Sequence, residues 1–249
     1  VKDMMMVNWG SPDLADGHEG AGQGYMIERR ALLGGFALLG AFAVSGCATT
    51  GLRRAFTSDA EPVRRLMRLS SERAFTWLVQ PDGFWTSPVA RIALPVLFTR
   101  TGATRSRKLR SADFRMKLQH QLNTIAGKSA AVAAPLVAQA ARQVPIPDPA
   151  EVLGGGRTAA TTLLRKAMGP ALVNAMLPEM ERAMQQAGDP TLGEAIAALK
   201  GVTITDAAHA LALEADNAIW YEIGSAEAAI RQDPAQTGDS LLIATFKAA

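Results

Sequence analysis

Between positions 205 and 233 the chain places Ala208, Leu211, Ala212, Ala215, Ile219 and Ile223 mostly three or four residues apart. Only a helix turns side chains at that interval onto one face, so this spacing constrains the fold first. Thr205 is the expected cap at its start, and Asp233 followed by Pro234 is its expected end. The same interval recurs in Phe114, Leu118, Leu122 and Ile125, with Gly127 as the expected interruption. It recurs again in Val63, Leu66, Met67, Ser70, Ala74, Trp77 and Leu78. That run follows Ser58, Asp59, Ala60 and Glu61, a capping-box pattern with Pro62 in the first turn. No segment alternates at period two, and no repeat of roughly 20–50 residues is visible.

Prolines and glycines punctuate the rest. Gln80, Pro81, Asp82 and Gly83 spell a turn, and 83–95 reads as extended chain followed by a short helix, with Phe84 and Trp85 pinning it to the core. Further helices are expected over 130–141, with a kink or restart at Pro135, and over 158–168, 170–186 and 240–247, with a kink at Pro178. A short helix opens at Asp148 and Pro149 and stops at Gly154, Gly155 and Gly156. Hydrophobic residues make up 48% of the chain but aromatics only 6%, so Ala, Leu and Met supply the core, which favours helix over sheet. The expectation is an all-α fold: a single irregular helical bundle of about eight short helices, some proline-kinked, spanning 59–249.

Cys47 is the single cysteine, which excludes an internal disulfide framework and any thiolate-rich metal site. It closes a segment with a distinct layout. Arg29 and Arg30 form a basic start, 31–45 carry no charge, and Val44, Ser45, Gly46 and Cys47 resemble a bacterial lipobox. In that reading 1–25 are a mis-extended start, 26–46 a signal peptide and 47–58 a lipidated tether. The Cys47 thiol then carries diacylglycerol and anchors the chain to a membrane. Ala48 is not aspartate, which favours the outer membrane over the inner. A retained membrane helix is the alternative, because 31–52 are uncharged throughout and arginines flank both ends. Arg29 and Arg30 also resemble a twin-arginine export signal, although Glu28 precedes them.

The net charge of +3 is unevenly spread. Arg64, Arg65, Arg68, Arg105, Arg107, Lys108 and Arg110 belong to a basic stretch between 53 and 117, and acids outnumber bases after it. The basic run from 100 to 117 lacks interleaved aromatics, which argues against nucleic acid. Anionic lipid or an acidic envelope component fits it better, as does a plain solvated loop.

Three stretches carry a family resemblance. Positions 83–95 match "GF-x-x-x-P-x-x-x-I-x-L-P" through Gly83, Phe84, Pro88 and Pro95, and positions 154–161 match "GG-x-TAAT". Ile230, Arg231, Asp233 and Pro234 match a terminal "IR-x-D-P". From about residue 75 to 247 the chain resembles the bacterial family catalogued as domain of unknown function 4197. The resemblance implies a helical fold and the cell envelope, and no known activity. Arg157 stands where an acid often sits, and Ser225 and Ala226 replace an acidic pair, so no acidic role carries over to those positions.

The turn holding Gly154, Gly155, Gly156, Arg157, Thr158 and Thr161 is the candidate site for an anion or ligand. Consecutive glycines before a helix can aim N–H groups at an anion, with Arg157 and the two hydroxyls as further donors. No lysine follows as in a nucleotide loop. The plainer reading is a tight interhelical turn with Thr158 as helix cap. Asp206 and His209 share a helix face with Glu214 a turn further on, but too few ligands surround them for a metal. No nucleophile or metalloprotease motif occurs, and no cofactor is expected. Trp77, Trp85 and Trp220 read as core or rim anchors, or as walls of an apolar groove.

The expected function is a non-catalytic binding or scaffolding domain on a lipid-anchored envelope protein. One alternative is a periplasmic binder or carrier of a lipid or other apolar ligand. The other is an enzyme using the glycine turn, which would gather Arg157, Thr158 or Thr161 with carboxylates in one cleft.

Overall fold

A proline in its first turn, an acid at its start and an apolar stripe make residues Glu61–Leu78 a helix, α1, with Val63, Leu66, Met67, Ala74 and Leu78 buried on one side. In this computed structural model the described residues are 59–247, apart from 101, 104 and 105. The expected leader, Cys47 and the tether lie outside the described residues.

Short helices α2 (Gly83–Thr86), α3 (Val96–Thr99) and α4 (Arg107–Arg110) lead to the long α5 (Ala112–Gln143). Then come α6 (Pro149–Gly154), α7 (Ala159–Met168), α8 (Ala171–Gln185), α9 (Thr191–Ala197) and the long α10 (Ile204–Gln232). A 3₁₀ turn (Pro234–Thr237) and α11 (Ser240–Lys247) close the chain, and no strand occurs among the described residues. The fold is all-α as expected. Among the described residues it is divided into eleven α-helices, two of them 32 and 29 residues long.

Four helices form the frame. α1 packs between α5 and α10, and α8 packs between the same two on the other side. Alanines at 126, 130, 133, 207, 208, 212 and 215 are buried, and their small side chains let the helix axes approach closely without aromatic filling. α7 leans against α1, α5 and α10 at one end of α8.

Three local expectations are corrected. α5 runs through Gly127 and Pro135 without a break. Ser129, Ala130 and Ala133 before the proline and Val137 and Ala141 after it are all buried, so packing on both sides outweighs the lost backbone hydrogen bond. α10 is capped by Thr203, two residues before the expected Thr205. Thr203 Oγ1 accepts from the Asp206 N–H, while the Asp206 carboxylate accepts from the Thr203 N–H. At α1 the cap position is Ala60, and Asp59 accepts from the Glu61 N–H at 3.0 Å.

The segment after α1 is fixed at two points. A Cβ on Gly83 would sit 2.3 Å from the Trp77 carbonyl oxygen, so only glycine fits against the end of α1. Further on, Asn123 of α5 accepts from the Ile92 N–H and donates to the Ile92 carbonyl, both at 2.9 Å, which clamps the extended chain as a neighbouring strand would. Phe84 is buried, Trp85 is half-buried beneath Arg91, whose guanidinium carbon lies 3.5 Å from the ring centre, and Trp77 is half-exposed.

Candidate functional site

α7 begins at Ala159, directly after the glycine turn, and its first amides need partners. Thr158 occupies the cap position, but its side chain makes no capping bond. The partner comes from α10. Glu227 is fully buried, and its carboxylate accepts from the N–H of Ala160 at 3.0 Å, the N–H of Thr161 at 2.7 Å and the hydroxyl of Thr161 at 2.6 Å. One turn later Arg231 donates from Nε to Glu227 at 2.8 Å. Its Nη1 and Nη2 donate to the carbonyls of Leu153 and Val152 at 2.8 and 2.9 Å, and its guanidinium faces the Phe246 ring.

This clasp joins the end of α6, the start of α7, α10 and α11 through two side chains. Every donor and acceptor in it is matched, which is the condition under which a buried charge pair is tolerated. The helix N-terminus that sequence spacing offers to an external anion therefore already holds an internal one.

Beside the clasp, α7 and α10 part to leave a groove of about 730 Å³. Its floor is Trp220, Gly224 and Ala228, and its rim carries Val89 and Tyr221, two large hydrophobic residues left 42% and 61% exposed. Arg157, Thr158, Thr161, Thr162, Arg165 and Ser225 supply its polar lining, and no carboxylate is among the lining residues. The approach of the two helices is close: a Cβ on Gly224 would stand 3.1 Å from the Thr158 methyl.

Arg165 is positioned from behind. Its Nη2 donates to Asp216 at 3.1 Å and to Asn217 at 2.6 Å, and Asp216 also accepts from the Trp220 indole N–H at 2.9 Å. Burial pushes the Asp216 carboxyl above the ordinary aspartate value, and the Trp220 and Arg165 contacts oppose that without cancelling it. Arg157 is exposed and makes no ion pair or side-chain hydrogen bond among the described residues.

The structure divides the sequence-predicted turn between two surfaces. Arg157, Thr158 and Thr161 line the groove, whereas Gly155 and Gly156 line an adjoining depression of about 550 Å³ with Glu151 and Lys166, Thr158 bordering both, and Gly154 is exposed. Of the departures from the family pattern, Arg157 and Ser225 line the groove and Ala226 does not. The other motif positions sit in the framework. Gly83 and Phe84 open α2, Pro95 is buried before α3, and Pro88 is exposed. Ile230 is buried, Arg231 belongs to the clasp, and Asp233 with buried Pro234 starts the 3₁₀ turn. A second groove, about 510 Å³ between α1 and α5, is mostly apolar, and its charged residues Arg68 and Glu72 pair with each other.

His120 pairs with Asp82 at 2.9 Å, and no group of three metal-ligating side chains occurs among the described residues. No helix among them is long and apolar enough to cross a membrane. Glu227 and Arg165 were not singled out by sequence. Glu227 did leave a signal: it is a charged residue on the stripe of Ile219, Ile223 and Ile230, where an apolar side chain is expected.

The family model described as "Protein of unknown function (DUF4197)" matches residues 56–247, so the resemblance extends over α1 as well. No curated protein and no solved structure matches the chain.

Proposed function

Because the chain belongs to the DUF4197 family, whose description assigns no activity, we propose a function from the groove itself: a non-catalytic binding module of the bacterial envelope. In this reading Cys47 is acylated, the chain faces the periplasm from the outer membrane, and an apolar ligand lies between α7 and α10. A scaffolding role toward an envelope protein is the coarser form of the same proposal, and nucleic acid is not a partner. The lipobox sequence ending at Cys47 supports the anchor.

The observation that carries the binding reading is the groove of about 730 Å³ with an aromatic floor, which lies within the usual range for small-molecule sites, about 300–1,000 Å³. Two features favour binding over catalysis. No carboxylate lines the groove, and Glu227, the acid nearest Thr161, is enclosed in the clasp with both oxygens engaged. A general base needs to reach a substrate proton, and this one faces inward.

Native mass spectrometry of protein extracted from membranes tests both halves. The expected spectrum shows an acyl mass on Cys47 and a non-covalent small-molecule adduct, and Ser225→Trp, which fills the groove, loses the adduct alone. An unmodified Cys47 removes the anchor. A bare wild-type protein, or an adduct unchanged in Ser225→Trp, removes the groove.

A further inference from the structure

The groove is apolar below and cationic above, and its cations are held differently. Arg165 is fixed through Nη2 to Asp216 and Asn217, and its Nε and Nη1 make no hydrogen bond among the described residues. A guanidinium carries five N–H donors, so a fixed arginine still has several to offer. Arg157, at the other end of the turn, is exposed with no partner at all among the described residues. The nearby hydroxyl of Thr161 is committed to Glu227, and that of Thr162 to the Thr158 carbonyl. Thr158 and Ser225 are exposed hydroxyl residues on the same lining.

We propose that the groove selects small amphiphiles with an anionic end group, a carboxylate or a phosphate, recognised by Arg157 and Arg165, with the apolar body against Trp220, Tyr221 and Val89. This rests on the reading of the groove as a ligand site. Three observations carry it. The lining holds two guanidinium groups and no acid, so an anion enters without like-charge repulsion. The α7 amides, the other natural anion trap, are filled by Glu227, so the guanidinium pair is the place left for an incoming negative charge. Tyr221 and Val89 stay exposed on the rim, where an apolar tail would cover them.

The test uses the purified full chain and 1-anilinonaphthalene-8-sulfonate as a fluorescent anionic amphiphile, displaced by decanoate, decyl phosphate or decanol. The two anions should displace the probe at concentrations about tenfold or more below decanol, as charge-assisted bonds to arginine require. Which anion is tighter distinguishes a fatty-acid source from a phosphate-headed one. Arg157→Gln, an exposed and unpaired position, should weaken both anions several-fold, leave decanol unchanged and retain the wild-type melting temperature. Added salt should narrow the gap between anions and decanol.

If decanol and decanoate compete equally, or Arg157→Gln binds both anions as the wild type does, the anion preference is wrong while the groove stands. If Ser225→Trp leaves every ligand's binding unaltered, or no ligand binds the wild type, the groove reading falls with it.

Discussion

Glu227 shows how much one side chain can settle. Its two oxygens, themselves out of contact with water, satisfy a helix start 66 residues earlier in the chain and a mostly buried arginine one turn later. Removing one partner of a matched buried pair strands the other. Glu227→Gln should therefore cost about 3–5 kcal/mol, read as a lower midpoint in urea denaturation. A cost near that of a surface substitution would show that the clasp adds little. Gly224 makes a second prediction. Alanine there gains helix propensity but meets the Thr158 methyl at 3.1 Å. In a double-mutant cycle, Gly224→Ala should be more favourable in a Thr158→Ser background, with a coupling of about 0.5–1 kcal/mol, because serine lacks that methyl.

At the level of elements, packing overrides local signals, and it does so in both directions. Pro135 was expected to kink or restart a helix, yet α5 continues through it because the buried faces on either side belong to one interface. Pro135 itself is exposed. Pro135→Ala should therefore raise the melting temperature, with a gain of about 1–3 kcal/mol from the restored hydrogen bond. The closing helix α11 has its own pH dependence. Burial tends to raise the Asp239 carboxyl. The N–H of Leu242, the Arg65 guanidinium and the N–H of Leu241 outweigh that and leave it below the ordinary aspartate range. A lowered folded value means that this support is full above the ordinary aspartate value, about 3.9, and fades as pH falls through the folded one. Amide exchange in 240–247 should accelerate there ahead of the frame helices, and Asp239→Asn should flatten that dependence. Unchanged exchange in the wild type would show that α11 is held by its apolar contacts alone.

Across the whole molecule, the helical class, the positions of α6, α7, α8 and α11, and the stops at Asp233 and Gly154 were legible because each depends on residues close together in sequence. What was not legible is non-local. Thr158 looked like the cap of α7, and the acid that does the capping lies on another helix. Asn123 holding Ile92 leaves no trace in periodicity, since a buried asparagine reads as an ordinary break in an apolar stripe. The turn from 154 to 161 was found by its glycines, and the structure keeps its arginine and threonines at the groove while turning Gly155 and Gly156 to another surface. The anchor is testable at this scale. Cys47→Ser should move the protein from the membrane fraction to the soluble fraction, and retention at the same size in the bilayer would favour a membrane-spanning leader instead.

The clasp also bears on kinetics. Swinging α7 away from α10 would break the bonds from Ala160 and Thr161 to the Glu227 carboxylate and leave the α7 amides without their partner, so that wall is too costly to serve as a door. Traffic into the groove then passes only through its open mouth. Association should follow simple second-order behaviour, with an observed rate rising in proportion to ligand concentration and no plateau from a gating step.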